Sequence, residues 1–231
     1  DAADLQPGQR VLDVACGTGV LARTAAGRVE VGGQVVGVDI NEGMLAVAKQ
    51  KAPHITWWHG PAENLPFEDN SFDAVISQFG LMFFEDRQEA LKEMMRVLRP
   101  GGKLAVAVWD RIENTPGYAA MVALLQRLFG DEAADGLRAP YNLGDKQLLQ
   151  KTFNEVGISN ASIDTVDGLA QFASIKAWVF TDIKGWTLAD MIDEAQFKYL
   201  LEEAEKALQP FVAADGSVSF KHSAHIVTTT K

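Results

Sequence analysis

Residues Val11 to Gly19 read V-L-D-V-A-C-G-T-G, an apolar run closed by a glycine-rich turn that opens onto a helix-forming segment. A strand that stops on glycines and re-enters the fold as a helix belongs to a sheet built by crossover connections. The rest of the first half repeats that rhythm. Strand-like segments at 10–15, 34–40, 55–60, 72–78 and 103–109 alternate with helix-like segments at 19–29, 42–52 and 85–99. In the last of these helices, Leu91, Met94, Met95 and Leu98 recur at helical spacing and form one apolar stripe, and Pro100, Gly101 and Gly102 end it. A loop, Pro-Ala-Glu-Asn-Leu-Pro-Phe-Glu-Asp-Asn, fills 61–70.

After Asp110 the pattern loosens. Helices are predicted at roughly 116–130 and 145–155, around a turn-rich stretch from Asp131 to Leu143, followed by a strand at 158–166. The segment 172–212 reads as helical, and the β-branched segment 217–231 reads as a closing strand, placed as an antiparallel partner at the sheet edge. The expected architecture is α/β: a doubly wound, mostly parallel sheet with a final antiparallel edge strand. With 231 residues, 47% of them hydrophobic, the chain can bury one large core. A single domain over 1–231 is expected, with helical lid insertions at about 111–155 and 167–214. Position 1 is Asp rather than Met, so a preceding natural segment is expected.

Charge and cysteine usage exclude several classes. The formal charge of -10 repels a phosphate backbone, and no basic patch offsets it, so no nucleic-acid partner is expected. No apolar run has the length of a spanning helix, and no signal peptide opens the chain. The single cysteine, Cys16, has no partner for an intramolecular disulfide, and His54, His59, His222 and His225 lack metal-site spacing. A cytoplasmic protein without a metal is the expectation.

The glycine turn would lie at the carboxyl end of the first strand, where doubly wound sheets bind ligands. Gly17 and Gly19 permit close ligand approach, and the helix start offers free N–H groups to a polar or anionic group. Asp39 ends the second strand, 20 positions after Gly19, where a carboxylate can accept both hydrogen bonds of a ribose diol. Asn41 caps the next helix. An adenosine-type cofactor follows, and two compete, because Gly17-Thr18-Gly19-Val20-Leu21-Ala22 also satisfies the dinucleotide pattern. The carboxylate of Asp13 would crowd a pyrophosphate with like charge, whereas a sulfonium beside a zwitterionic amino acid accommodates it. That disfavours NAD.

The segments VLDVACGTG, GVDINEGML, PAENLPFEDNSFDAVISQFGLMFF and LRPGG, in that order and spacing, resemble the class I S-adenosylmethionine-dependent methyltransferases. Similarity is greatest to the broad bacterial group that includes the ubiquinone and menaquinone biosynthesis methyltransferases. It runs from about residue 8 to residue 110 and is generic beyond. The resemblance implies a Rossmann-like fold, S-adenosylmethionine as cofactor and methyl transfer to a small-molecule acceptor by in-line displacement. A cofactor-binding protein with a non-methylating or regulatory role is the alternative. It further implies that Asp13, Ala15, Cys16, Gly17 and Gly19 surround the methionine end and that Asp39 holds the ribose hydroxyls. Ile40 and Met44 would pack on adenine, Ala62 and Glu63 would edge it, and Ser77, Gln78 and Phe79 would lie beneath the sulfonium. Pro61 departs from the family, standing where an acidic residue is frequent; it offers neither N–H nor carboxylate.

In-line transfer from a sulfonium needs a positioned nucleophile more than a triad, and no general base announces itself. Acceptor-side candidates are Gln78, Phe79, Trp109 and Asp110 at strand ends, and Tyr118 and Tyr141 in the first insertion. Trp109 and Asp110 read equally well as a packed indole and a cap. The aromatic residues Phe172, Trp178, Phe180, Trp186, Phe197 and Tyr199 are expected to pack helices. On one continuous strand His222 and His225 face opposite sides, so both are expected in surface or packing roles, as are His54 and His59.

Overall fold

A computed structural model describes residues 2–185, 188 and 191–231. The first half forms β1 (Arg10–Val14), α1 (Val20–Val29), β2 (Gln34–Asp39), α2 (Glu42–Lys51), β3 (Thr56–His59), β4 (Phe72–Gln78), α3 (Arg87–Val97) and β5 (Leu98–Trp109). Then come α4 (Pro116–Phe129), α5 (Asp131–Arg138), α6 (Lys146–Asn154), β6 (Ser162–Val166), β7 (Leu169–Phe172), α7 (Ile175–Lys184), α8 (Glu194–Ala207), β8 (Val218–Lys221) and β9 (Ala224–Thr230).

Seven strands make one sheet in the order β3-β2-β1-β4-β5-β9-β6. β1 pairs in parallel with both β2 and β4, so the strand order reverses on either side of β1, the place where such sheets leave a crevice. Val11, Leu12 and Val14 are fully buried, as a parallel strand covered on both faces requires. β9 runs antiparallel to β5: the Lys231 N–H donates to the Gly102 carbonyl at 3.1 Å, and the Gly101 N–H donates to the Lys231 carbonyl at 2.9 Å. The antiparallel end of the sheet is therefore present, with β6 as its outermost strand.

Helix boundaries follow local chemistry. Asn41 caps α2 by accepting the Met44 N–H at 3.0 Å, and Asp86 caps α3 by accepting the Glu89 N–H at 2.9 Å. α3 buries Ala90, Leu91, Met94 and Val97 and stops before Arg99-Pro100, since a residue that precedes proline avoids helical angles. α8 opens on a capping box in which Asp193 and Gln196 satisfy each other's backbone N–H groups.

The chain divides into two compact units. The first comprises Asp1–Val108, Lys146–Asp164 and His225–Lys231 and contains the parallel strands. Its α6, assigned from sequence to an insertion, buries Leu149 and Phe153 on one helical face within this unit. The second comprises Trp109–Asp145 and Thr165–Ala224 and has its own core around Tyr118, Met121, Leu125, Trp178, Leu200 and Phe220. Phe172 and Phe197 pack against that core, as expected of the aromatic set, while Phe180 and Tyr199 are exposed. Trp186 lies outside the described residues.

The expected closing strand over 217–231 is two strands, broken at His222-Ser223. β8 pairs antiparallel with β7, an unforeseen strand, in a separate two-stranded sheet. The His222 N–H donates to the Gly168 carbonyl at 2.9 Å, one pair beyond Leu169–Lys221 in that register.

Candidate active site

The site grows from the turn after β1. Ala15, Gly17 and Gly19 all hold positive φ, at 57°, 53° and 76°. Gly19 ends the turn as the N-cap of α1 and supplies no side chain, so the first N–H groups of that helix keep their capacity for another partner. The two glycines serve different purposes. A Cβ on Gly17 would meet open space, whereas one on Gly19 would fall inside the Trp57 indole, which also fills the room left by Gly37. Gly17 thus leaves space at the turn, and Gly19 is required by packing within the core.

Asp39 closes the turn from β2. Its Oδ2 accepts the Gly17 N–H at 2.7 Å and its Oδ1 accepts the Asn41 N–H at 2.8 Å, which leaves one lone pair on each oxygen. The carboxylate is half-buried and lines a cavity of about 250 Å³ with Ala15, Ile40, Ala62 and Glu63. Phe83, Phe84 and Glu85 complete that wall. They were not singled out from sequence, although the Leu-Met-Phe-Phe run after β4 marks an apolar turn there. Ser77 and Gln78 line a different cavity of about 480 Å³, with Leu21, Thr24 and Ala25 of α1. Ile40 and Met44 are exposed, at 68% and 42%. The Phe79 N–H donates to the Ala107 carbonyl at 2.9 Å, with Phe79 at φ 60°.

Asp13 is 1% exposed, and neither carboxylate oxygen has a hydrogen bond of acceptable geometry. Burial pushes its pKa up to about 8; the Ala22 backbone N–H, too poorly placed for a full hydrogen bond, opposes this weakly, and the charge of Asp39 adds to it. The Cys16 thiol is also pushed up by burial, so it stays protonated. Ser77 Oγ is likewise buried without a partner.

The loop with Ala62 and Glu63 is held by α3. Arg96 binds Glu93 through Nε and Nη2 at 2.6 and 2.8 Å, and donates to the carbonyls of Phe67 and Leu65 at 2.7 and 3.0 Å. Glu93 accepts the Leu65 N–H at 2.8 Å, and its pKa is held down by Arg96. Replacing Arg96 with alanine is expected to cost about 2–3 kcal/mol of stability, the scale of charge-assisted hydrogen bonds. Urea unfolding of R96A checks this, with faster amide exchange across 61–70 as its local signature.

Within the second unit, Trp109 stacks on His222 at 3.8 Å, and Tyr141 Oη lies 3.1 Å from His222 Nε2. Tyr118 donates to Asp182 Oδ1 at 3.3 Å, and burial raises the pKa of Asp182 to about 6. Burial also pushes both tyrosine hydroxyls above their usual range. The carboxylate of Asp110 accepts the Arg111 N–H at 2.7 Å and the Asn114 side-chain amide at 3.0 and 3.1 Å, which fixes the turn after β5 without capping a helix. Among the described residues no cluster of His, Cys, Asp or Glu could hold a metal, and no helix is long and apolar enough to cross a membrane.

Residues 12–106 match the family model described as a methyltransferase domain. The chain is 36% identical over 179 residues to a demethylmenaquinone methyltransferase of Staphylococcus saprophyticus, covering 71% of this chain and 76% of that protein. It is 50% identical over 127 residues to the demethylmenaquinone methyltransferase of Renibacterium salmoninarum, covering 55% and 52% of the two chains. The YcgJ protein of Bacillus subtilis shares the fold, with a TM-score of 0.66 at 19% identity over 99% of this chain and 94% of that one. The chain belongs to the class I S-adenosylmethionine-dependent methyltransferases and, within them, is related to the menaquinone biosynthesis methyltransferases. It is an enzyme whose cofactor is S-adenosylmethionine.

Proposed function

We propose that the enzyme methylates a ring carbon of a reduced, demethylmenaquinone-like acceptor. The observation that carries this reading is the identity to demethylmenaquinone methyltransferases across most of the chain, joined to a turn shaped for the cofactor. A quinone ring is electron-poor and is a weak nucleophile toward a sulfonium; its two-electron-reduced dihydroxy form supplies the electron pair that forms the carbon–carbon bond as the methyl–sulfur bond breaks, and the displaced ring proton leaves to solvent. No metal is needed for that step.

The residues present fit the cofactor. The side-chain space at Gly17 and the uncapped start of α1 suit the carboxylate of the methionine moiety. Asp13, buried with both oxygens unpartnered, would answer the positive charge of the same moiety. Asp39, already oriented by two backbone N–H groups, would accept the ribose hydroxyls with its remaining lone pairs. Ile40, Met44, Ala62 and Glu63 would hold the adenine, with Cys16 and Gly19 supporting the turn and Ser77, Gln78 and Phe79 nearer the methyl group. Bound S-adenosylmethionine supplies the electrophilic methyl and its own leaving group. The protein's part is alignment and exclusion of water.

Asp13 gives the site a pH signature. Its folded pKa of about 8 lies above the ordinary aspartate value of about 3.9, so the stability linked to its proton is full below about 4 and is lost as pH rises through about 8. A cationic ligand favours the carboxylate and releases that proton, so S-adenosylmethionine affinity is expected to rise several-fold between about pH 6.5 and 8.5. Asp13→Asn should flatten this profile and remove the corresponding loss of stability at high pH. Titration calorimetry in buffers of different ionisation enthalpy reads the proton release directly. An unchanged profile in the variant would remove Asp13 from the site.

The acceptor is tested by anaerobic incubation with 1,4-naphthohydroquinone and S-adenosylmethionine bearing a deuterated methyl group. Ring methylation detected by mass spectrometry is the expected result. S-adenosylhomocysteine formation at the acceptor-free background rate would contradict it.

A further inference from the structure

The peptide between Ile40 and Asn41 is held at both of its polar ends. Its N–H, on Asn41, donates to Asp39 Oδ1 at 2.8 Å. Its C=O, on Ile40, lies 2.9 Å from His59 Nε2. A carbonyl oxygen can only accept, so Nε2 carries the ring proton and donates it, whether the imidazole is neutral or cationic. A trans peptide is planar and points its C=O and N–H in opposite directions, so a bond at each end fixes the rotation of the whole unit.

Strand register brings His59 to this peptide. β3 pairs in parallel with β2, and His59 stands opposite Asp39 at the last position of that register. Paired residues of parallel strands project to one face, so His59 lies beside Asp39, on the face where Trp57 fills the room left by Gly37. The Gly60 N–H closes the strand end by donating to the Asp39 carbonyl at 3.1 Å. Asn41 is tied in turn to α2 through the Met44 N–H at 3.0 Å. His59 Nδ1 faces solvent and Glu42 Oε1, at 3.8 Å. His59 is not among the residues that line the Asp39 cavity, so its influence on a ligand there passes through the Ile40–Asn41 peptide.

We propose that His59 is a positioning residue for the cofactor: by holding the Ile40 carbonyl it keeps the Asn41 N–H on Asp39 Oδ1, and so keeps that carboxylate turned toward the ribose hydroxyls. This rests on the proposed reading of Asp39 as the ribose acceptor. Without the His59 donor, the peptide is free to turn its carbonyl to solvent. Asp39 then retains only the Gly17 N–H, at 2.7 Å, and its carboxylate can rotate about that bond. The bond from His59 joins exposed groups, so its loss should leave the urea midpoint nearly unchanged.

The test compares S-adenosylhomocysteine with its 2′,3′-dideoxy analogue, which has no hydroxyls for Asp39 to hold, in calorimetric titrations of the full chain. The wild type should bind the parent compound at least about tenfold more tightly than the analogue. His59→Leu should lose about fivefold toward the parent, the size of one neutral hydrogen bond, and nothing toward the analogue. His59→Gln places an amide N–H where Nε2 stood and should recover most of that loss. His59→Asn, one bond shorter, should not. Amide exchange at Asn41 in the ligand-free protein gives a second reading: it should be several-fold faster in His59→Leu and His59→Asn than in the wild type and His59→Gln.

Undiminished affinity of His59→Leu for S-adenosylhomocysteine, with the wild type still favouring the parent over the analogue, would overturn the role of His59 and leave the ribose seat standing. An equal loss toward both ligands would also overturn that role, since the effect would not pass through the ribose. A wild type that binds both ligands equally, or neither, would overturn the ribose seat and the role of His59 with it.

Discussion

Replacing Gly19 with alanine is expected to destabilise the protein by about 2–5 kcal/mol, enough to unfold a marginal domain. Two costs add. Gly19 stands at φ 76°, where a side chain crowds its own backbone, and the new Cβ would overlap the Trp57 indole. Trp57 has little freedom to retreat, because its indole N–H donates to the Ala52 carbonyl at 3.0 Å and Gly37 packs on the same ring. Gly17, also in a glycine turn and at positive φ, should behave differently. Its side-chain direction is open, so Gly17→Leu should cost about 1–2 kcal/mol from the backbone alone and instead abolish cofactor binding by filling the space. Urea unfolding of both variants, read beside S-adenosylhomocysteine titrations, separates the two roles. A Gly19→Ala protein as stable as the wild type would show that the indole does not sit where the structure puts it.

Asp39→Ala is expected to reduce cofactor affinity by about 3 kcal/mol, or roughly 150-fold. The carboxylate does two things at once. It would bind the ribose hydroxyls, and it ties the Gly17 N–H to the Asn41 N–H across the turn at 2.7 and 2.8 Å. The alanine variant loses the ligand contact and the fixed turn together, so its effect should exceed that of a ribose contact alone. Asp39→Asn retains one acceptor oxygen and should fall between. Calorimetric titration measures all three proteins, and an alanine variant with wild-type affinity would mean that the ribose is held elsewhere.

The legible parts of this molecule were those whose signals are local. The β1 strand and its turn were readable because a strand buried on both faces writes itself as a continuous apolar run ending in glycine. Asn41 was readable as a cap because capping is decided within a few residues. Asp39 was readable as a strand-end carboxylate, but its grip on Gly17 was not, since that contact spans the crossover. Nothing near Gly19 in sequence announces Trp57, which reaches it from β3. Ser77 and Gln78, which the resemblance puts beneath the sulfonium, line the cavity beside α1 and not the one that Asp39 lines.

His222 shows the limit most clearly. Reading 217–231 as one strand put His222 and His225 on opposite faces and discounted both. The chain instead breaks after Lys221, where β8 leaves to pair with β7, and this frees His222 to meet Tyr141 from 81 residues away. Two short strands separated by polar residues have the same β-branched composition as one long strand, so periodicity carries no trace of the break.

Whether the turn after β1 seats S-adenosylmethionine is decided by urea unfolding of the wild type, Gly17→Leu and Asp39→Ala with S-adenosylhomocysteine, S-adenosylmethionine or NAD. A ligand at about 100 times its dissociation constant adds about 2.7 kcal/mol to the folded state. That gain is expected for the wild type with the two adenosyl sulfur compounds, none with NAD, and its loss in both variants. A wild type stabilised by neither sulfur compound, or variants stabilised as fully as the wild type, would contradict the cofactor seat proposed at the turn between β1 and α1.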